Sequence, residues 1–100
     1  MALDCGALDA TIAAAAGDDP ALISELRAAF IDSVARQVDL LARSRCDGNW
    51  NVAALRLKGL GASFHADALM ALAEEALEAA PGEPAIVRRL KAFVEQFSAT

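Results

Sequence analysis

The chain has no tyrosine, one tryptophan, one histidine and two cysteines in 100 residues. Each scarcity removes a class of function. Two cysteines, Cys5 and Cys46, with no CxxC spacing cannot build a disulfide framework, and free thiols in a reducing compartment are the plain expectation. Cys5, Cys46 and His65 also lack the spacing of a zinc site, so no metal and no cofactor is expected. The few β-branched and aromatic residues argue against sheet. Basic residues number nine against fourteen acidic ones, giving a net charge of −5, and they are scattered rather than grouped. That argues against a nucleic-acid or anionic-membrane surface, since either needs a basic stripe. No apolar run approaches the roughly 20 residues of a membrane span. The N-terminal MALDCGALDA has no basic region ahead of an apolar one, so no signal peptide is read and a soluble, cytoplasmic protein is expected.

What the chain does have is alanine and leucine, within a hydrophobic share of 56%. That composition favours packed helices, and the length fits one domain over residues 1–100 with a real core. Five helical segments can be read. The first covers about 7–16 and ends at Gly17. The second follows an N-cap, Asp19, with Pro20 at the first helical position. Its buried stripe is Ile23, Leu26, Phe30, Val34, Gln37 and Leu41, and Asp47-Gly48-Asn49 is expected to break it. The third starts near Asn49 with Trp50, Ala53, Leu57, Leu60 and Phe64 inward. The fourth, ADALMALAEEALEAA, buries Leu69, Leu72, Ala73, Ala76 and Leu77 and turns Glu74, Glu75 and Glu78 to water. Past the turn Pro81-Gly82-Glu83-Pro84, the fifth buries Ile86, Val87, Leu90, Phe93, Val94 and Phe97. Short loops place consecutive long helices antiparallel. The expected fold is all-α, an antiparallel up-down four-helix bundle with a short extra N-terminal helix.

Two glycines, Gly59 and Gly61, interrupt the third helix. Each costs about 1 kcal/mol relative to alanine, so each needs a reason. At about 100° per residue, Leu55 lies roughly 160° from the buried Leu57 and faces outward. Gly59 is one turn further on the same face, Ala62 one turn beyond that, and Arg56 and Lys58 flank them. A glycine on a solvent face suits a partner that comes close to the backbone. Gly61 fits either that or a neighbouring helix of the same chain.

Other constellations carry less. Asp67, Glu74, Glu75 and Glu78 form a solvated face with no ExxH partner spacing. No serine among Ser24, Ser33, Ser44 and Ser63 has a histidine placed to activate it, and LKGLGAS lacks the order of a phosphate loop.

The run Ala54-Leu55-Arg56-Leu57-Lys58-Gly59 resembles the A-H-x-L-K-G helix motif of histidine phosphotransfer (HPt) domains of bacterial phosphorelays, with leucine where the histidine stands. Ser63-Phe64-His65-Ala66 resembles the tail of that motif, with His65 where glycine is usual. GDDPALISEL, DGNW and ADALMALAEEAL are also similar to this family, so the resemblance spans the chain. It implies the same bundle. It further implies a docking role for Gly59 and Lys58 toward the receiver domain of a response regulator, or toward a histidine kinase. The phosphoacceptor role does not carry over, because Leu55 has no nucleophilic atom. The resulting expectation is a non-enzymatic, receiver-binding module whose face is Leu55, Arg56, Lys58, Gly59 and Ala62. Two other readings stay open: a phosphocarrier that uses His65, and a scaffold or dimerisation bundle outside phosphate transfer. Monomer and dimer are equally compatible with the sequence.

Overall fold

A computed structural model of the chain describes residues 6–99, and for Ala99 the backbone alone. Cys5, paired above with Cys46 as a free thiol, lies outside the described residues; Cys46 is free and exposed. Every regular element among the described residues is a helix: α1 (Gly6–Ala16), α2 (Pro20–Ala42), α3 (Asp47–Phe64), α4 (Asp67–Glu78) and α5 (Pro84–Ala99). The all-α expectation therefore holds. No helix among these residues is long and apolar enough to cross a membrane.

Local chemistry accounts for the helix ends. Asp19, in extended conformation, accepts a hydrogen bond from the Ala21 N–H at 2.9 Å, and Pro20 occupies the first turn. Glu83 accepts from the Ala85 N–H at 3.1 Å at the start of α5. One boundary differs from expectation. The break between α2 and α3 spans 43–46 rather than Asp47-Gly48-Asn49, and α3 already begins at Asp47. Cys46 takes the extended N-cap conformation, and the Asp47 carboxylate belongs in a first turn, where it faces the positive end of the helix dipole. Gly48 sits exposed in that same turn, with nothing within 4 Å of a Cβ built on it.

A second correction concerns α2. The fully buried residues are Phe30, Val34, Val38 and Leu41, so Val38 takes the place assigned to Gln37, which is half-buried. The three-and-four spacing admits both, and a β-branched apolar side chain loses nothing on desolvation whereas a carboxamide does.

The contacts between helices tie beginnings to ends. Trp50, at the start of α3 and fully buried, donates its indole N–H to the Ala76 carbonyl near the end of α4, at 2.6 Å. At the other end of that pair, a Cβ placed on Gly61 would lie 2.7 Å from Met70 Cγ and 3.0 Å from the Met70 backbone nitrogen. Gly61 is thus the close approach of α3 to α4. Phe30 of α2 meets Phe64 of α3 with ring centroids 4.7 Å apart, and meets Phe97 of α5 at 5.4 Å. Glu75 of α4 binds Arg89 of α5 through both carboxylate oxygens, at 2.8 and 2.9 Å.

The short α1 lies against α2 and α3 and buries Leu8, Ile12 and Ala16. Arg27 of α2 fastens it: one guanidinium nitrogen is 2.8 Å from Asp9, while the group lies 4.0 Å over the Phe97 ring. A cation over an aromatic face adds about 0.5–1 kcal/mol at a partly exposed site, so α1, α2 and α5 share one anchor.

Candidate docking face on α3

The inner face of α3 is committed to Trp50, Ala53, Ala54, Leu57 and Gly61, with Leu60 and Phe64 partly buried against the core, and the opposite face turns to solvent. Leu55 is 55% exposed, the most exposed of the large apolar side chains among the described residues. Gly59 is exposed, and a Cβ built on it meets nothing within 4 Å. Ala62 is exposed one turn later. Leu55, Gly59 and Ala62 therefore make the small, open strip expected from helical phase. The intramolecular packing that explains Gly61 has no counterpart at Gly59.

The two basic residues of the face part company. Lys58 leans toward α4, its Nζ 3.9 Å from Glu74 Oε1. Arg56 points the other way, into the junction with α2, and makes no ion pair among the described residues. On α2 the exposed charges cancel locally: Arg43, which lines this junction, pairs with Asp39, and Arg36 pairs with Asp32, each at 2.9 Å and one helical turn apart. Such exposed pairs stabilise by only a few tenths of a kcal/mol, yet they leave Arg56 as the unneutralised charge of the groove.

Three residues that sequence reasoning left out also belong here. Val52 is 48% exposed, one turn before Leu55, and Leu40 of α2 is 42% exposed. Both line an open hollow of about 370 Å³ between α2 and α3, together with Arg43, Asn49, Arg56 and Gln37. A second hollow continues along the same junction past Gln37, Arg56, Gly59 and Ser63. Gln37 and Arg56 line both. The signal for Val52 and Leu40 was present, since each is an apolar residue outside its helix's buried stripe. The place of Gln37 could not be read, because phase alone put it in the core.

A further hollow lies between α4 and α5, beside Leu72, Phe93 and Gln96. There Arg89 is held by both oxygens of Glu75, which pulls the Glu75 carboxyl below its ordinary value and raises the arginine. The guanidinium is already spoken for, and that hollow offers a ligand little charge.

His65 sits apart from the α3 strip. It caps α3 in the left-handed conformation, φ 58° and ψ 38°, where the resemblance places glycine. The Ala66 N–H then reaches back to the Gly61 carbonyl at 2.8 Å, closing the helix end. Its imidazole Nδ1 is 2.9 Å from Thr11 Oγ1. Since Thr11 gives its own proton to the Ala7 carbonyl at 2.9 Å, the hydroxyl accepts from Nδ1–H and ties α1 to the α3–α4 corner. At about 1.5 Å rise per residue, His65 is about 15 Å along the axis from Leu55. Among the described residues no group of three or more His, Cys, Asp or Glu is gathered to hold a metal ion.

Chemically the face is suited to contact rather than reaction. It offers desolvatable apolar groups, one unpaired guanidinium and an approachable backbone. No family model, no curated protein and no solved structure matches the chain.

Proposed function

We propose that this chain is an HPt-like module of bacterial phosphorelay signalling that docks a response-regulator receiver domain, or the equivalent surface of a histidine kinase, and carries no phosphoryl group itself. In this reading the helices form an antiparallel up-down four-helix bundle, with α1 as an extra element across one end, and the protein works in the cytoplasm. The observation that carries the reading is the open strip of Leu55, Gly59 and Ala62, with Arg56 beside it. Fully burying a leucine or valine side chain yields about 1.5–3 kcal/mol, and Leu55, Val52 and Leu40 retain roughly half of that for a partner. A free guanidinium next to them suits the acidic pocket of a receiver and sets orientation and on-rate more than affinity. A protein of this kind sequesters a receiver or blocks its proper donor.

The test is binding to a panel of purified receiver domains, with Gly59→Arg beside the wild type. Because the added side chain enters open space, helix content stays unchanged while binding falls at least tenfold. A Gly59→Arg variant that binds as well as the wild type removes the face from consideration. Incubating the same receivers in phosphorylated form, with His65→Ala as control, tests the phosphocarrier reading: label on the wild type that the variant loses would displace this proposal. Sedimentation at a mass of two chains, abolished by Leu55→Asp, would instead favour the dimerisation reading.

A further inference from the structure

The basic residues form no block in the sequence, yet they are unevenly divided. Residues 36–58 carry five of them, Arg36, Arg43, Arg45, Arg56 and Lys58, against two acidic residues, Asp39 and Asp47. The rest of the chain carries four basic residues against twelve acidic ones. The hairpin of α2 and α3 is thus the positive part of a negative protein. Within its groove, Arg43 and Arg56 line the same open hollow, and no acidic side chain lines it with them. Arg56 has no ion-pair partner among the described residues, and Arg43 holds only Asp39, on its own helix. An exposed pair of that kind is weak, and a guanidinium has five N–H donors, so Arg43 can meet an incoming carboxylate while keeping Asp39. The hollow also has apolar walls: Leu40 from α2 and Val52 from α3, each close to half exposed. Lys91 of α5 is the useful contrast. It is exposed and lines a hollow between α2 and α5, but Asp39 and Glu95 line that hollow too.

We infer that the α2–α3 groove receives a segment of the partner protein that carries a carboxylate side chain next to an aliphatic one. This rests on the docking reading and names what the docked surface presents. The aliphatic group takes Leu40 and Val52 out of water, and the carboxylate meets a guanidinium, which it fits with two parallel hydrogen bonds. A basic segment is repelled. A wholly apolar one desolvates Arg56 and gives it no partner. A free anion satisfies the arginines and leaves the walls wet. Val52 stands one turn before Leu55, so the groove and the outer strip of α3 form one continuous surface. The division of charge also orients the encounter, because an acidic surface is drawn to this hairpin and turned away from the rest of the molecule.

The experiment titrates the full chain, labelled with nitrogen-15, with a helical peptide of glutamate, leucine and alanine, and with the same peptide carrying glutamine for glutamate. The amide signals of Leu40, Val52 and Arg56 are expected to shift and saturate with the first peptide, and the glutamine peptide to bind about tenfold more weakly. The double variant Arg43→Gln, Arg56→Gln, with both changes at exposed positions and the melting temperature as a check on folding, is expected to bring the two peptides level. Equal affinity of the wild type for both peptides overturns the inference. So do shifts as large at Arg88 and Lys91 as in the groove, which mean attraction to any exposed cation, and so does free glutamate that binds as tightly as the peptide. Receivers form a separate arm. The double variant is expected to weaken a receiver that the wild type binds by about tenfold, chiefly through a slower association rate. A receiver that is lost on Gly59→Arg but indifferent to both arginines ends this inference and leaves the receiver reading intact. A wild type that binds the acidic peptide in the groove and no receiver ends the receiver reading and supports the groove's chemistry.

Discussion

Gly59 and Gly61 stand two residues apart on α3 and are explained by opposite facts. A methyl group on Gly61 would collide with Met70, at 2.7 Å from its Cγ and 3.0 Å from its backbone nitrogen, so the missing side chain lets α4 close on α3. A methyl group on Gly59 would meet nothing within 4 Å. The helix accepts the same penalty twice, once for a contact inside the fold and once where the fold asks for nothing. Gly48 is as open but sits in the first turn, whereas Gly59 is interior to the helix, where a glycine with no packed neighbour among the described residues favours a close approach from outside. This contrast between the two faces of one helix is the strongest physical support for a docking role.

Substitutions on both faces can break or sharpen it. The largest effect is expected at the inner face. Trp50→Ala empties a fully buried site and removes the indole bond to the Ala76 carbonyl, at a cost of about 3–5 kcal/mol in denaturant unfolding. Gly61→Ala follows: overpacking costs about 1–3 kcal/mol, of which the better helix propensity of alanine returns about 1 kcal/mol. The net loss, about 1 kcal/mol, lowers the melting temperature by roughly 5 °C. Gly59→Ala has the opposite sign and raises stability by about 0.4–1 kcal/mol, because the methyl enters free space and the unfolded chain loses entropy. If the two glycine variants moved stability in the same direction, the contrast between the faces would be lost.

Leu55→Ala comes next, with unfolding free energy within about 0.5 kcal/mol of wild type; under the proposed receiver-binding function its whole effect falls on receiver affinity. The smallest effect compares two adjacent carboxylates of α4. Glu75 is gripped by Arg89, whose hydrogen bonds hold its pKa below the ordinary 4.5; Glu74 sits 3.9 Å from Lys58. A carboxyl whose folded pKa is depressed contributes stability that is complete above its unfolded pKa and is lost as pH falls through the folded value. The gap in melting temperature between wild type and Glu75→Gln should therefore be small and constant near neutrality, then close on acidification below pH 4.5. A gap that widens on acidification would contradict the assignment.

The pattern of apolar residues made most of the fold legible. Trp50, Ala53 and Leu57 in α3, Leu69, Leu72, Ala73 and Ala76 in α4, and Ile86, Leu90, Phe93 and Phe97 in α5 are buried where their spacing puts them, while Leu60, Phe64, Leu77, Val87 and Val94 are only partly buried against that core. Gln37 and Val38 show where periodicity stops: neighbours on a helix differ by about 100°, and the boundary of a buried stripe is decided by the partner helix, which a sequence does not place. The start of α3 was missed for a related reason. Asp47-Gly48 is turn chemistry in isolation, but an acidic residue and a glycine are equally at home in an exposed first turn. In the docking face, the outward phase of Leu55, Gly59 and Ala62 was readable. The divergence of Arg56 and Lys58 was not, because it depends on Glu74 lying across from Lys58.

The tryptophan adds one practical consequence. It is the chain's only one, there is no tyrosine, and its ring is sealed in the core with its N–H bonded to Ala76. With no tyrosine to compete, long-wavelength ultraviolet excitation selects this one ring, which senses the seam between α3 and α4 and lies on the far side of the helix from Leu55. Its emission should stay blue and unquenched when the outer face is occupied, and should redden only when that seam opens. Light from one residue can report the integrity of the fold during a binding titration, independently of the surface under test.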